Sequence, residues 1–177
     1  VRRRASSDLD SFTQTLQDAR VDLNPHQIES ALFAFRSPLS GGAILADEVG
    51  LGKTIEAGII LSQKWAERKR RLVIIAPANL RKQWVEELED KFYLPAFILD
   101  KKEMTQFLAN KDGVNPFETD RIVVCSYDFA RRQERYLRLA QLDLVVLDEA
   151  HRLRNVYRPD NQTGNILRSA LAEKKKI

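Results

Sequence analysis

Apolar residues along this chain gather into five short runs rich in β-branched side chains, at positions 43–46, 72–76, 96–99, 121–125 and 142–147. Runs of this length without polar alternation predict strands covered on both faces. Between them the period changes. Residues 54–66 are apolar nearly all round and predict a buried helix, while Leu80, Trp84 and Leu88 set one apolar stripe at helical spacing. Ahead of the first strand, Asn24 followed by Pro25 is an N-cap and first-turn signal for a helix that turns Ile28, Ala31, Leu32 and Phe35 inward. An earlier helix is predicted over about 8–19, with Leu9, Phe12 and Leu16 on one side. Strands alternating with helices imply an α/β fold: a mostly parallel central sheet with helices on both faces, preceded by N-terminal helices.

Two stretches follow this pattern less closely. Positions 101–119, with Gly113, Asn115 and Pro116, predict a short helix and a loop. A last helix over about 161–172 runs into Glu173-Lys174-Lys175-Lys176-Ile177, where the alternation calls for another strand. Together with a start at Val1, this leads us to expect a piece of a longer polypeptide. Its parts are then a helical extension at 1–22 and one α/β lobe at 23–177 that stops before its last strands.

Composition narrows the class. A chain of 177 residues with 44% hydrophobic and 31% charged positions suits one globular α/β domain. Its apolar runs fall well short of the roughly 20 residues that cross a bilayer, and no signal-peptide core opens the chain. The expected location is the cytoplasm or the nucleoid, with no membrane partner. The single cysteine, Cys125, lies in an apolar run and reads as core filler rather than a nucleophile. A net charge of +4 suits a polyanionic partner. The basic residues cluster at Arg2-Arg3-Arg4, at Arg68-Lys69-Arg70-Arg71, around Arg131, Arg132, Arg135 and Arg138, and at Lys174-Lys175-Lys176. The clusters at Arg68 and Lys174 read as solvated faces.

The chemistry sits at the predicted strand ends. Asp47-Glu48-Val49-Gly50-Leu51-Gly52-Lys53-Thr54 lies between a strand and a helix. A glycine-rich loop in that setting turns backbone N–H groups toward phosphate oxygens, and the helix adds its positive N-terminal end. Lys53 would reach the β- and γ-phosphates and Thr54 would be a magnesium ligand. Asp47 stands where the strict pattern G-x-x-x-x-G-K-[ST] has glycine. About a hundred positions on, the run 142–147 delivers Asp148-Glu149-Ala150-His151. Asp148 could hold magnesium through water, and Glu149 could orient and deprotonate an attacking water, kept ionised by the nearby cation. His151, directly after the acidic pair, is expected to couple the site to a neighbouring domain. These residues predict binding and hydrolysis of a nucleoside triphosphate with Mg2+.

The octet 47–54, its continuation Ile55-Glu56-Ala57-Gly58, and Asp148 to His151 with Arg152-Leu153-Arg154-Asn155 resemble superfamily-two helicases, most closely the Swi/Snf-like branch of bacterial and archaeal type. The match runs from about Leu23 to Asn155, and in that branch Asp47 is usual. The resemblance implies the first of two RecA-like P-loop lobes and ATP as the nucleotide. It makes Gln27, after Asn24-Pro25-His26, the glutamine that bonds adenine. Gln27, the octet Asp47, Glu48, Val49, Gly50, Leu51, Gly52, Lys53 and Thr54, and His151 then bind nucleotide; Lys53, Asp148 and Glu149 are catalytic; Thr54 and Asp148 serve Mg2+. Ile75-Ala76-Pro77 with Asn79, Leu80, Gln83 and Trp84 resembles motif Ia, and Ser126-Tyr127 resembles motif Ib. In the family both touch the nucleic-acid backbone, which makes Asn79, Arg81, Lys82, Ser126 and Tyr127 the candidate contacts here. Phosphate contacts of this kind are sequence-tolerant and salt-sensitive.

The family implies an ATP-driven motor that translocates on double-stranded DNA to remodel or displace bound proteins. A strand-separating helicase or the motor of a restriction or defence complex would share every residue named. A nucleotide-dependent DNA-binding module without turnover is the reading from another class, and Glu149 stands against it. The second RecA-like lobe of the same polypeptide, with its arginine finger, has no counterpart in these 177 residues. This stretch alone is therefore expected to bind ATP weakly and hydrolyse it poorly.

Overall fold

The computed structural model describes residues 24–36, 44–45, 52–110, 113–153 and 162–177. The helix expected at 8–19, the loop residues Asp47 to Leu51, Asn155 and, apart from Ile44 and Leu45, the strand at 43–46 lie outside the described residues. The elements follow in the order α1 (Pro25–Arg36), α2 (Lys53–Ala66), β1 (Leu72–Ala76), α3 (Arg81–Phe92), β2 (Ala96–Ile98), α4 (Lys101–Asn110), β3 (Ile122–Ser126), α5 (Tyr127–Arg132), α6 (Glu134–Leu139) and β4 (Leu144–Leu147). A 3-10 turn (Ala150–Leu153) and α7 (Gln162–Ala170) complete them.

The described strands form one parallel sheet in the order β2-β3-β1-β4. Parallel strands need crossovers, and right-handed crossovers decide which face each helix covers. The step from β1 to β2 runs one way across the sheet and carries α3 on one face; the steps β2 to β3 and β3 to β4 run back and carry α4, α5 and α6 on the other. The packing agrees. Leu72, Ile74, Ile122, Val124, Leu144 and Val146 pack with α1, α2 and α3. Val73, Ile75, Val123, Cys125 and Val145 pack with α4 to α7. Burial on both faces is why these strands read as unbroken apolar runs. The resulting fold is a RecA-like lobe.

After α7 the backbone comes alongside β4. Val145 N donates to Lys175 O at 2.8 Å, Ile177 N to Val145 O at 2.9 Å and Leu147 N to Ile177 O at 2.6 Å. This is the parallel pairing that the alternation called for after the last helix. Two expectations need correction. The run at 142–147 enters the sheet only at Leu144, because Asp143 ties down the loop before β1: its N–H donates to Arg71 O at 2.9 Å, its carboxylate accepts from Arg71 N at 3.2 Å, and Lys69 Nζ lies 3.5 Å away. The lysine cluster at the C-terminal end is not simply a solvated face. Lys174 Nζ donates to Ala140 O, the carbonyl at the C-cap of α6, at 2.6 Å, and Lys176 Nζ donates to Leu171 O, just past the end of α7, at 2.6 Å and to Lys174 O at 2.8 Å. Partial burial lowers the Lys176 pKa from the usual lysine value. In the Arg68 cluster, Arg68 is exposed while Arg70 lies over the Trp65 ring, 4.1 Å from its centroid.

Candidate functional site

Register brings the strand ends together. Ile75 is level with Cys125 in β3 and with Leu147 in β4, so Pro77, Tyr127 and Asp148 leave the sheet at one carboxyl edge. Open α/β sheets bind ligands at that edge. Asp148 N still donates to Ile75 O at 3.0 Å, and the chain then turns sharply: Glu149 takes φ 55, a left-handed conformation that non-glycine residues rarely adopt.

The N-terminal end of α2 meets the same edge. Gly52 caps the helix at φ 92, ψ 35, and its carbonyl accepts from Ile55 N at 2.8 Å and Glu56 N at 3.1 Å. Lys53 and Thr54 therefore occupy the first turn, where free N–H groups and the helix dipole favour an anion. Gln27 lies against this turn. It is only 4% exposed, its Oε1 accepts from Asn24 N at 3.1 Å, and a Cβ on Gly52 would stand 2.3 Å from its Nε2. A glutamine on an exposed helix face would not do this.

Lys53, Thr54, Trp84, Asp148, Glu149 and His151 line one cavity of about 550 Å³, closed further by Ile44, Leu45, Lys176 and Ile177. A cation, a hydroxyl and two carboxylates around one space fit a hydrated Mg2+ and a phosphate chain: the hydroxyl and one carboxylate are hard oxygen donors, and the ammonium neutralises phosphate. Two hydrogen bonds hold the acidic turn. Trp84 Nε1 donates to Asp148 Oδ2 at 2.9 Å, and Tyr127 Oη donates to the Asp148 carbonyl at 2.7 Å. His151 Nδ1 lies 2.9 Å from Glu149 Oε2, with both side chains about half exposed.

The other candidates lie along the same edge with different exposure. Asn79 is exposed in the turn before α3, and that helix has no side-chain N-cap. Arg81 Nε donates to Ala78 O at 3.1 Å, and exposed Lys82 pairs with Glu86 at 3.4 Å. Ser126 caps α5, its hydroxyl accepting from Phe129 N at 3.2 Å. Tyr127 turns its ring into the core. Asp47, Glu48, Val49, Gly50 and Leu51 lie outside the described residues. In the sequence Trp84 reads as part of an apolar stripe and of the segment that resembles motif Ia, and neither reading contains its bond to Asp148. The available signal was chemical: a buried indole N–H requires an acceptor.

Residues 26–173 match the SNF2-related domain family. Among solved structures, the chain is similar to the Sulfolobus solfataricus SWI2/SNF2 ATPase core in complex with dsDNA, with a TM-score of 0.70 and 25% identity. That match covers 90% of this chain and 31% of the solved one, so the chain spans about a third of that relative's length. With the family pattern spanning most of the chain and the parallel lobe matching in three dimensions, this protein belongs to the SNF2-related family, as a superfamily-two, Swi/Snf-like N-terminal lobe.

Proposed function

We propose that this chain is the ATP-gripping lobe of a motor that hydrolyses ATP while translocating on double-stranded DNA to remodel or displace bound proteins. The observation that carries the reading is the convergence of Lys53, Thr54, Asp148 and Glu149 on one cavity from two elements far apart in sequence. Thr54 and Asp148 are the residues that would hold Mg2+, which when bound would supply charge neutralisation to the phosphate chain. On this reading Lys53 binds the terminal phosphates, Thr54 and, through water, Asp148 hold the ion, and Glu149 takes the proton of the attacking water. Gln27 bonds adenine, with residues 47–52 cradling phosphates and His151 linking the site to the second lobe. Asn79, Arg81, Lys82 and the helix start at Ser126-Tyr127 meet DNA phosphates.

The relative solved with double-stranded DNA supports the choice of partner. Within the full-length protein, E149Q should reduce ATP turnover by at least about a hundredfold, the scale of a general-base contribution, while ATP binding stays near wild type. Unchanged turnover would remove Glu149 from its role. Displacement of a triplex-forming strand without separation of the duplex would support translocation; efficient strand separation would replace it with helicase activity. The isolated lobe, lacking an arginine finger from its partner lobe, should turn over slowly and show little stimulation by DNA.

A further inference from the structure

Asp148 is gripped from two directions by side chains that belong to neither of the site's two motifs. Trp84 comes from the first turn of α3, after β1, and Tyr127 from the start of α5, after β3. The indole N–H meets the carboxylate at Oδ2, 2.9 Å away, and the phenol O–H meets the main-chain carbonyl at 2.7 Å. Both rings are well buried, Trp84 at 4% and Tyr127 at 7% exposed, so both donors sit in a setting where an unmatched donor is costly and a matched one is well oriented. The two bonds fix different things. Trp84 selects the rotamer of the carboxylate. Tyr127 fixes the peptide plane between Asp148 and Glu149, the plane whose rotation sets the left-handed φ 55 of Glu149.

We propose that Trp84 and Tyr127 are positioning residues that pre-orient the Asp148–Glu149 turn for its divalent cation, and that they tie it to the two segments 77–84 and 126–127. With Oδ2 engaged by the indole, the second carboxylate oxygen is left for the metal's water shell. Groups that orient a metal ligand in this way commonly change affinity or activity by about 10- to 100-fold when removed. The inference rests on the reading of Asp148 as a cation-holding carboxylate. It extends that reading by tying the turn to the starts of α3 and α5 through the two donors that orient it.

The test is binding rather than turnover. Mn2+ is titrated into the full-length protein with ADP equimolar to protein, and bound metal is read from the loss of the free-ion EPR signal beyond that in a matched protein-free Mn2+–ADP solution. W84F removes the donor and keeps a six-membered ring; W84H packs less apolar surface but keeps a five-membered ring whose Nε2 occupies the place of the indole Nε1. A bond to Asp148 predicts that W84F binds Mn2+ roughly tenfold more weakly and that W84H recovers a good part of the loss. A purely packing role predicts the reverse ranking, and that ranking, or wild-type affinity in W84F, would overturn the proposal. Y127F deletes one oxygen and should weaken Mn2+ several-fold; it also carries the test if W84F does not fold, and wild-type affinity there would equally overturn it. Wild-type protein that takes up no Mn2+ beside ADP would sink the underlying site assignment, an outcome distinct from wild-type uptake that the variants leave unmoved.

Discussion

A methyl group at position 52 would meet two obstacles that have separate origins. The backbone there has φ 92, where a Cβ crowds the following carbonyl at a cost of about 1–2 kcal/mol. The space is also taken, because Gln27 Nε2 lies 2.3 Å from where the Cβ would be. The amide is the far end of a flexible chain and can swing aside, but its displacement moves it off the N-terminal turn of α2. G52A should therefore lower stability by about 1–2 kcal/mol in a urea melt and weaken ATP more than it weakens the fold. In G52A/Q27A the steric conflict is gone and the backbone cost stays, so stability should not return; full recovery would mean that side-chain crowding, not φ, makes glycine necessary. The types of residue needed at this site were legible in the chain, since glycine, lysine, threonine and paired carboxylates each bring a chemistry of their own. The depth of Gln27 was not. A glutamine is usually solvated, and what buries this one is the approach of α1 to α2, which no local pattern encodes.

Helix α2 has its own glycine, and here the conformation is ordinary while the space is not. Gly58 faces α3, and a Cβ on it would stand 2.3, 2.4 and 2.9 Å from carbons of the Phe92 ring. Two effects of opposite sign compete in G58A. Alanine favours a helix interior over glycine by about 1 kcal/mol. Forcing apart two packed helices typically costs about 1–3 kcal/mol, and the buried Phe92 ring has little room to yield. The clash should win, leaving G58A about 1–2 kcal/mol less stable by chemical denaturation. Placed in an F92L background, the same substitution should cost much less or become stabilising; an equal loss in both backgrounds would show that Phe92 is not the obstacle. Elements were legible where their pattern is local: α2 as a helix apolar nearly all round, β1 and β3 as unbroken runs. The start of β4 was not, because Asp143 is held by Lys69 and Arg71, more than seventy positions earlier in the chain. The ties between Trp84, Tyr127 and Asp148 escaped for the same reason, being contacts between strand ends made only once the sheet has assembled.

At the scale of the whole lobe, β3 runs between β1 and β2, and its Cys125 reports on the sheet as a unit. The thiol is fully buried, and desolvation pushes its pKa from 9.0 up to about 12, with the nearby Arg81 charge opposing the shift. It stays protonated and shielded in the folded state at any working pH, so a thiol reagent at pH 8 should label it at the rate at which the sheet opens. Because Cys125 is the only cysteine of these 177 residues, a measurement on this chain has a single source. The sign of the pH dependence follows from the direction of the shift. Above pH 9.0 the unfolded chain releases the thiol proton and the folded chain does not, so the unfolded state binds fewer protons and stability falls as pH rises toward 12. Below 9.0 neither state ionises and the group contributes no pH dependence. The stability difference between wild type and C125A should therefore be constant from pH 7 to 8.5 and shift against wild type above 9, by up to about tenfold in folding constant per pH unit. A difference that stayed flat to pH 10.5, or rapid labelling of the native protein at pH 8, would mean that this strand opens without the rest of the sheet.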